Sequence, residues 1–260
     1  NDNGAYPYLR THPMTTERIA EVQQRLQLSP PSPPRPPDMV HLMMAARAKV
    51  LSEPGVDILR SYAAADALRP GTVHPAREAG AVYAAALAQA KLRDMKAAIA
   101  HTQRLLELTA GNPEASRQAR LLAAEIALQA GDPKPAEALA DAPGRPELVL
   151  SSRARLRDRQ EGQVSDKLQT WVTLHPKDSL AWQLLSDAWA AQGFTLRAVR
   201  ADAEAQAAHL DWQAALDRFR AGQDLSRKPG LGQRDHIEAS IVDARAREMS
   251  SLLREQALER

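Results

Sequence analysis

The chain has 260 residues, with 34 basic against 32 acidic side chains and a net charge of +2, so its charge balance does not ask for a nucleic-acid partner. Apolar residues make up 44% and aromatics only 4%; strong helix formers dominate, and little favours strands. The absence of cysteine excludes disulfides, cysteine–zinc sites and a thiol nucleophile, and no apolar run nears the ~20 residues needed to span a bilayer.

The first residues, Asn1 to Tyr8, do not resemble a natural start, and no signal peptide is visible. The expectation is a mature fragment or an excised domain. Leu9, Ile19, Val22 and Leu26 then suggest an extended stretch leading into an amphipathic helix. Thr11-His12-Pro13 is followed by Arg18, which falls in that helix's first turn. A cation there opposes the macrodipole by a few tenths of a kcal/mol. A functional partner would explain the placement, and so would a surface arginine tolerated at small cost.

Six prolines follow in one stretch, Pro30, Pro31, Pro33, Pro34, Pro36 and Pro37. Such a segment cannot be helical and reads as a stiff, extended spacer over 29–37. The other reading is a proline-rich ligand for an aromatic-lined groove. From 38 to 232 most prolines fall where helices should begin or end: Pro54, Pro70, Pro75, Pro113, Pro133, Pro146, Pro176 and Pro229. In Asn112-Pro113-Glu114, asparagine can cap, proline suits the first helical position, and glutamate favours the positive dipole end. Asp132-Pro133 repeats the arrangement. Gly111, Gly131 and Gly193 follow alanine- and leucine-rich runs and can take the left-handed conformation that ends a helix.

The spacing predicts helix pairs. An early unit has Tyr83, Ala86 and Leu87 on its first helix and Ala98, Leu105 and Leu106 on its second. Ala136 is near the same phase, in a helix cut short before Pro143. Val164, Leu168, Trp171 and Val172 make another stripe, ending at His175-Pro176. The clearest unit runs from Asp178 to Leu210, where Trp182, Leu185, Ser186 and Trp189 share one helix face. Gly193 makes the turn and Ala198 opens the next contact face. Large and small positions interlocking in this way resemble the tetratricopeptide pattern, and Ala98 and Ala198, 100 residues apart, lie close to three of its ~34-residue periods. Trp212, Ala215, Leu216 and Phe219 mark a further helix.

After Gly230-Leu231-Gly232 a last helix is expected within 233–260. Asp235 and Glu238 have capping-box spacing, Ile237, Ile241, Ala244, Met249 and Leu252 give an apolar side, and Asp243 can pair with Arg247. A charged terminal helix is what a solenoid needs to close its end. The fold expected is thus all-α, a tetratricopeptide-like superhelix with an N-terminal helical segment and a C-terminal capping helix.

No His-Glu-x-x-His, Gly-x-Ser-x-Gly, phosphate-loop or dinucleotide pattern occurs. His41, His74, His101, His175, His209 and His236 are scattered over different elements and read as surface or junction residues rather than ligands. Arg153, Arg155, Arg157 and Arg159 form the densest basic run, but alternate helical positions spread over two stripes and Asp158 lies among them, which suits a solvated face. The tryptophans read as core, with a ligand-stacking surface as the other possibility.

Residues 8–28 resemble the end of the catalytic domain of the HtpX-like zinc metallopeptidases, which include the CAAX prenyl proteases. There a Thr/Ser-His-Pro run is followed, six residues after the histidine, by an arginine, as His12 and Arg18 are here. With a linker and tetratricopeptide-like repeats behind it, the whole chain resembles the β-barrel assembly-enhancing protease (BepA-like) group of periplasmic zinc metalloendopeptidases. That resemblance implies several things. Residues 1–28 would be the C-terminal remnant of a peptidase domain. His12 and Arg18 would stabilise the oxyanion in the intact parent. Zinc, its ligands and the catalytic glutamate would belong upstream, leaving this chain without metal, cofactor or peptidase activity. The repeats would recruit outer-membrane β-barrel assembly machinery or misassembled envelope proteins in the periplasm, and contact their own peptidase domain. A free-standing tetratricopeptide scaffold is the alternative, and an enzyme with an unfamiliar site is a third.

Overall fold

The computed structural model describes residues 15–28, 36–52, 55–64, 73–227 and 233–258, all-α throughout with no strand among them. The chain divides into two compact units, Asn1–Pro37 and Asp38–Arg260. In the first, α1 (Thr15–Leu28) leaves Ile19, Val22 and Leu28 exposed. His12 and most of the proline-rich spacer lie outside the described residues, as do Pro54, Pro70, Pro229 and Gly230–Gly232.

The second unit is a file of twelve described helices. It opens with α2 (Met39–Leu51), α3 (Val56–Ala64), α4 (Pro75–Lys91) and α5 (Met95–Thr109). It continues with α6 (Pro113–Ala130), α7 (Lys134–Glu137), α8 (Arg145–Arg157) and α9 (Glu161–Leu174), and ends with α10 (Ser179–Ala191), α11 (Thr195–Ala208), α12 (Trp212–Ser226) and α13 (Gln233–Leu258). Short polar side chains start them. Asp38, Asp94, Asn112, Asp178 and Asp211 each accept from the N–H three residues on, satisfying a donor that the helix leaves open. Proline fills the first turn of α4, α6 and α8, and His74 caps α4 through its ring nitrogen to the Ala76 N–H.

Five helix ends share one geometry. One residue takes a positive φ (Arg93, Gly131, Arg159, Gly193 or Leu210), and the next N–H reaches back five residues at 2.9–3.1 Å. Arg159 and Gly193 are 34 residues apart, one repeat period, and Arg93 and Gly193 are 100 apart. Gly111 was expected in this conformation and does not adopt it. The connection there is shorter: the Asn112 N–H bonds Thr109 at 2.9 Å, and Asn112 caps the next helix at once.

From α3 onward each helix packs on its sequence neighbour, and α4, α6, α8 and α10 also pack on one another in order, so the first helices of successive pairs form a row. α2 joins that row through α4 and α6. The core is correspondingly serial: one cluster spans α2 to α6, a small one α6 to α8, a third α8 to α11 and a fourth α11 to α13. Buried alanines set the close approach, and Leu105, Leu122, Ile126, Leu168, Leu185 and Phe219 fill it, each large side chain contributing roughly 1.5–3 kcal/mol. Within the clearest pair, Ser186 Oγ donates to the Ala198 carbonyl at 2.8 Å, joining small position to small position.

Arginine–glutamate pairs bind helix to helix. Arg104 holds Glu78, Arg117 holds Glu147, Arg245 holds Glu204 and Arg200 holds Glu238, at 2.6–2.9 Å and with every one of these carboxylates buried. A buried carboxylate without a cation would be strongly destabilising.

The last helix corrects the sequence expectation in detail. α13 begins at Gln233, so Asp235 falls inside the helix and not at the position before its first residue. Glu238 serves Arg200 instead of a capping box. The buried stripe is Glu238, Val242, Ala246 and Met249, while Ile237 is 68% exposed and Ala244 lies outward. Asp243 accepts from Gln223 of α12 at 2.7 Å in place of the expected Arg247 pair. The face that α12 offers, with Phe219 at its centre, decides which side of α13 turns inward.

Candidate functional site

The row of first helices carries two adjoining hollows that share Glu125, Leu150 and Arg153 and so form one groove. The part over α6, α8 and α10 has a volume of about 500 Å³, and the part over α2, α4, α6 and α8 about 340 Å³. Each helix supplies a stripe spaced by three or four residues: Gln118, Leu121, Glu125 and Leu128 from α6; Pro146, Val149, Leu150 and Arg153 from α8; Leu180, Gln183, Leu184 and Asp187 from α10.

Neighbouring apolar residues explain how one helix serves both core and groove. In Leu121-Leu122 and Leu184-Leu185 the second leucine is fully buried in the core, while the first lines the groove at its edge. Such doublets widen the apolar stripe beyond what a single buried face needs. The same doublet recurs at Leu105-Leu106 of α5 and Leu252-Leu253 of α13, outside the groove, so by itself it does not locate the groove in the sequence.

Polar groups fix the groove's charge. Arg47 of α2 donates to Glu125 at 2.8 and 3.3 Å and to the Tyr83 hydroxyl at 3.2 Å. Burial, the largest influence on Arg47, would lower its pKa, but Glu125 and Tyr83 together hold it raised. Burial also raises the Tyr83 phenol, partly offset by Arg47. Arg157 donates to the Leu128 carbonyl, closing the wall between α6 and α8. At the rim, Arg145 holds Asp178 through two bonds of 2.7 and 2.8 Å, and the Trp171 indole N–H joins them at 3.0 Å.

Two charged groups are left over. Arg153 and Asp187 both line the larger hollow, both are exposed, and neither has a hydrogen bond or ion pair with the described residues. Burial raises the Asp187 pKa, and the nearby carboxylate of Asp202 raises it further. Asp202 is itself held by Arg218 at 2.9 Å.

A separate hollow of about 440 Å³ lies beside α9, where α7 ends after one turn; Leu148, Trp171 and Leu174 line it. Lys167 crosses it, donating to the Ala140 carbonyl at 2.7 Å and to Asp141 at 3.0 Å.

The tryptophans belong to the packing. Trp182 and Trp189 are buried, Trp171 and Trp212 are half-buried, and the Trp182 indole N–H is satisfied by the Pro176 carbonyl at 3.0 Å. The histidines are dispersed: His74 caps α4, and His175 stacks on Trp171 with ring centroids 4.0 Å apart. No group of three or more His, Asp or Glu able to hold a metal ion occurs among the described residues. Arg18 is exposed on α1, and with His12 outside the described residues the spacing of that motif has no geometry to report. No helix among the described residues is long and apolar enough to cross a membrane. No family model and no curated protein matches the chain.

Proposed function

We propose that residues 38–260 are a protein-interaction module that holds a segment of another protein in the groove along α2, α4, α6, α8 and α10. The observation that carries this reading is the groove's make-up, with leucine stripes from three successive helices and its charged groups distributed along them. Apolar stripes give contact area, and polar groups between them give register. Nothing in this chemistry needs a nucleophile or a metal.

The resemblance of Thr11-His12-Pro13 and Arg18 to the HtpX-like peptidases extends the proposal. The module would belong to a periplasmic zinc metalloendopeptidase and recruit β-barrel assembly machinery or misassembled envelope proteins to it. A free-standing scaffold with the same groove is the second reading. A His-Glu-x-x-His helix encoded upstream of Asn1 supports the first, and its absence supports the second.

Photo-crosslinking tests the groove directly. A benzophenone side chain at Gln183, exposed in the groove, is compared with one at Lys96, exposed on α5. The expected result in an envelope extract is capture of outer-membrane or unfolded envelope proteins from Gln183 only. Equal yields at both positions, or capture of cytosolic proteins alone, counts against the reading. Zinc-dependent cleavage by the purified chain would refute the view that it lacks peptidase machinery of its own.

A further inference from the structure

Resting on that groove reading, we propose that its occupant is a peptide segment with an apolar ridge bearing both charges, an acidic side chain that meets Arg153 on α8 and a basic side chain that meets Asp187 on α10.

The inference comes from what the groove has already spent within itself. Glu125 is held by Arg47, Arg145 by Asp178, and Arg157 is committed to a carbonyl on α6. Every charged side chain lining the two hollows therefore has an internal partner except Arg153 and Asp187. Those two are opposite in sign, sit on adjacent first helices, and are not paired with each other within 4.0 Å. Between and around them lie Leu150, Leu180 and Leu184. An uncharged apolar segment would cover both charges and strip them of water without replacing it, which costs free energy. A segment of one sign would satisfy one and repel the other. A segment with both signs, its acid toward α8 and its base toward α10, satisfies both, and it fixes the direction in which the partner lies. Asp187 supports this independently: burial and the neighbouring Asp202 both disfavour its charged form, which an incoming cation would restore.

Fluorescence anisotropy with labelled synthetic peptides tests the proposal on the whole chain. The probes share a leucine-rich 15-residue frame and differ at two positions, which carry Glu and Lys, two Glu, two Lys, or two Gln, at spacings of three, four and seven residues. The expected result is that at one spacing the Glu/Lys peptide binds roughly five- to tenfold tighter than the Gln peptide. Arg153→Glu and Asp187→Lys each abolish that preference, and Asp187→Lys moves it to the two-Glu peptide. Both positions are exposed, so an unchanged thermal melt is expected for each variant. A third variant, Gln183→Trp, fills the groove without removing a buried group. If the Gln peptide binds as tightly as the Glu/Lys peptide at every spacing, and Gln183→Trp abolishes both, the charge assignment falls and the groove reading survives. If no peptide binds, or Gln183→Trp changes nothing, both fall. A Glu/Lys preference that persists in both reversals also overturns the assignment.

Discussion

Asp178 shows how much one side chain can organise. It caps α10 through the Ala181 N–H at 3.3 Å, takes two bonds from Arg145 at the start of α8, and accepts the Trp171 indole N–H from α9. Three helices meet on one carboxylate. The Arg145 bonds are the largest influence on its pKa and lower it against the opposing effect of burial. A carboxyl lowered in the folded state adds stability above its unfolded pKa and loses it as pH falls through the folded value. Asp178→Ala is therefore expected to destabilise by about 1–2 kcal/mol at neutral pH, mostly from the lost cap and the Trp171 indole N–H left without its acceptor, with a smaller part from the pair with the half-exposed Arg145. The loss should shrink on acidification below the ordinary aspartate range. Urea melts at pH 7 and pH 3 check this, and an equal penalty at both would show that the ion pair contributes nothing.

At the scale of the element, the turns carry the repeat. The left-handed residue recurs at five helix ends among the described residues, but glycine occupies it only at Gly131 and Gly193. Leu210 takes the same place with φ 64° and its side chain 72% exposed. A side chain with a Cβ is strained there by roughly 1 kcal/mol or more, and this one gains little burial in return. Leu210→Gly is expected to stabilise the protein by about 0.5–1 kcal/mol, read as a raised denaturation midpoint with an unchanged slope. A lowered midpoint would mean that Leu210 packs in solution.

For the whole second unit, the division of the core into successive clusters has a consequence for cooperativity. Phe219 is fully buried in the cluster of α11, α12 and α13, and shares no cluster with α4 or α5. Phe219→Ala is expected to cost about 3–5 kcal/mol. In a nearly one-dimensional array that cost falls first on the neighbours. Hydrogen exchange should show lost protection across α11–α13 while α4 and α5 hold theirs. Uniform loss over every helix would show instead that the unit folds as a single block.

What the sequence determined by itself is what neighbouring residues settle. Alanine and leucine periodicity, aspartate and asparagine caps, and prolines at first turns are local effects, so the helices, their order and most of their ends could be read from the chain. The pairing of Trp182, Ser186 and Ala198 was legible for the same reason, since their helices are joined by one short turn. The tertiary structure alone decided what distant residues settle. Which of the buried pair Leu184-Leu185 also reaches the groove, and which stripe of α13 is buried, depend on the surface that another helix presents. Arg153 and Asp187 stand out as unmatched charges only because Arg47 reaches Glu125 and Arg145 reaches Asp178 across 78 and 33 residues. Helical periodicity is fixed within a few residues of chain, whereas a groove is made by side chains that meet only after the helices have stacked.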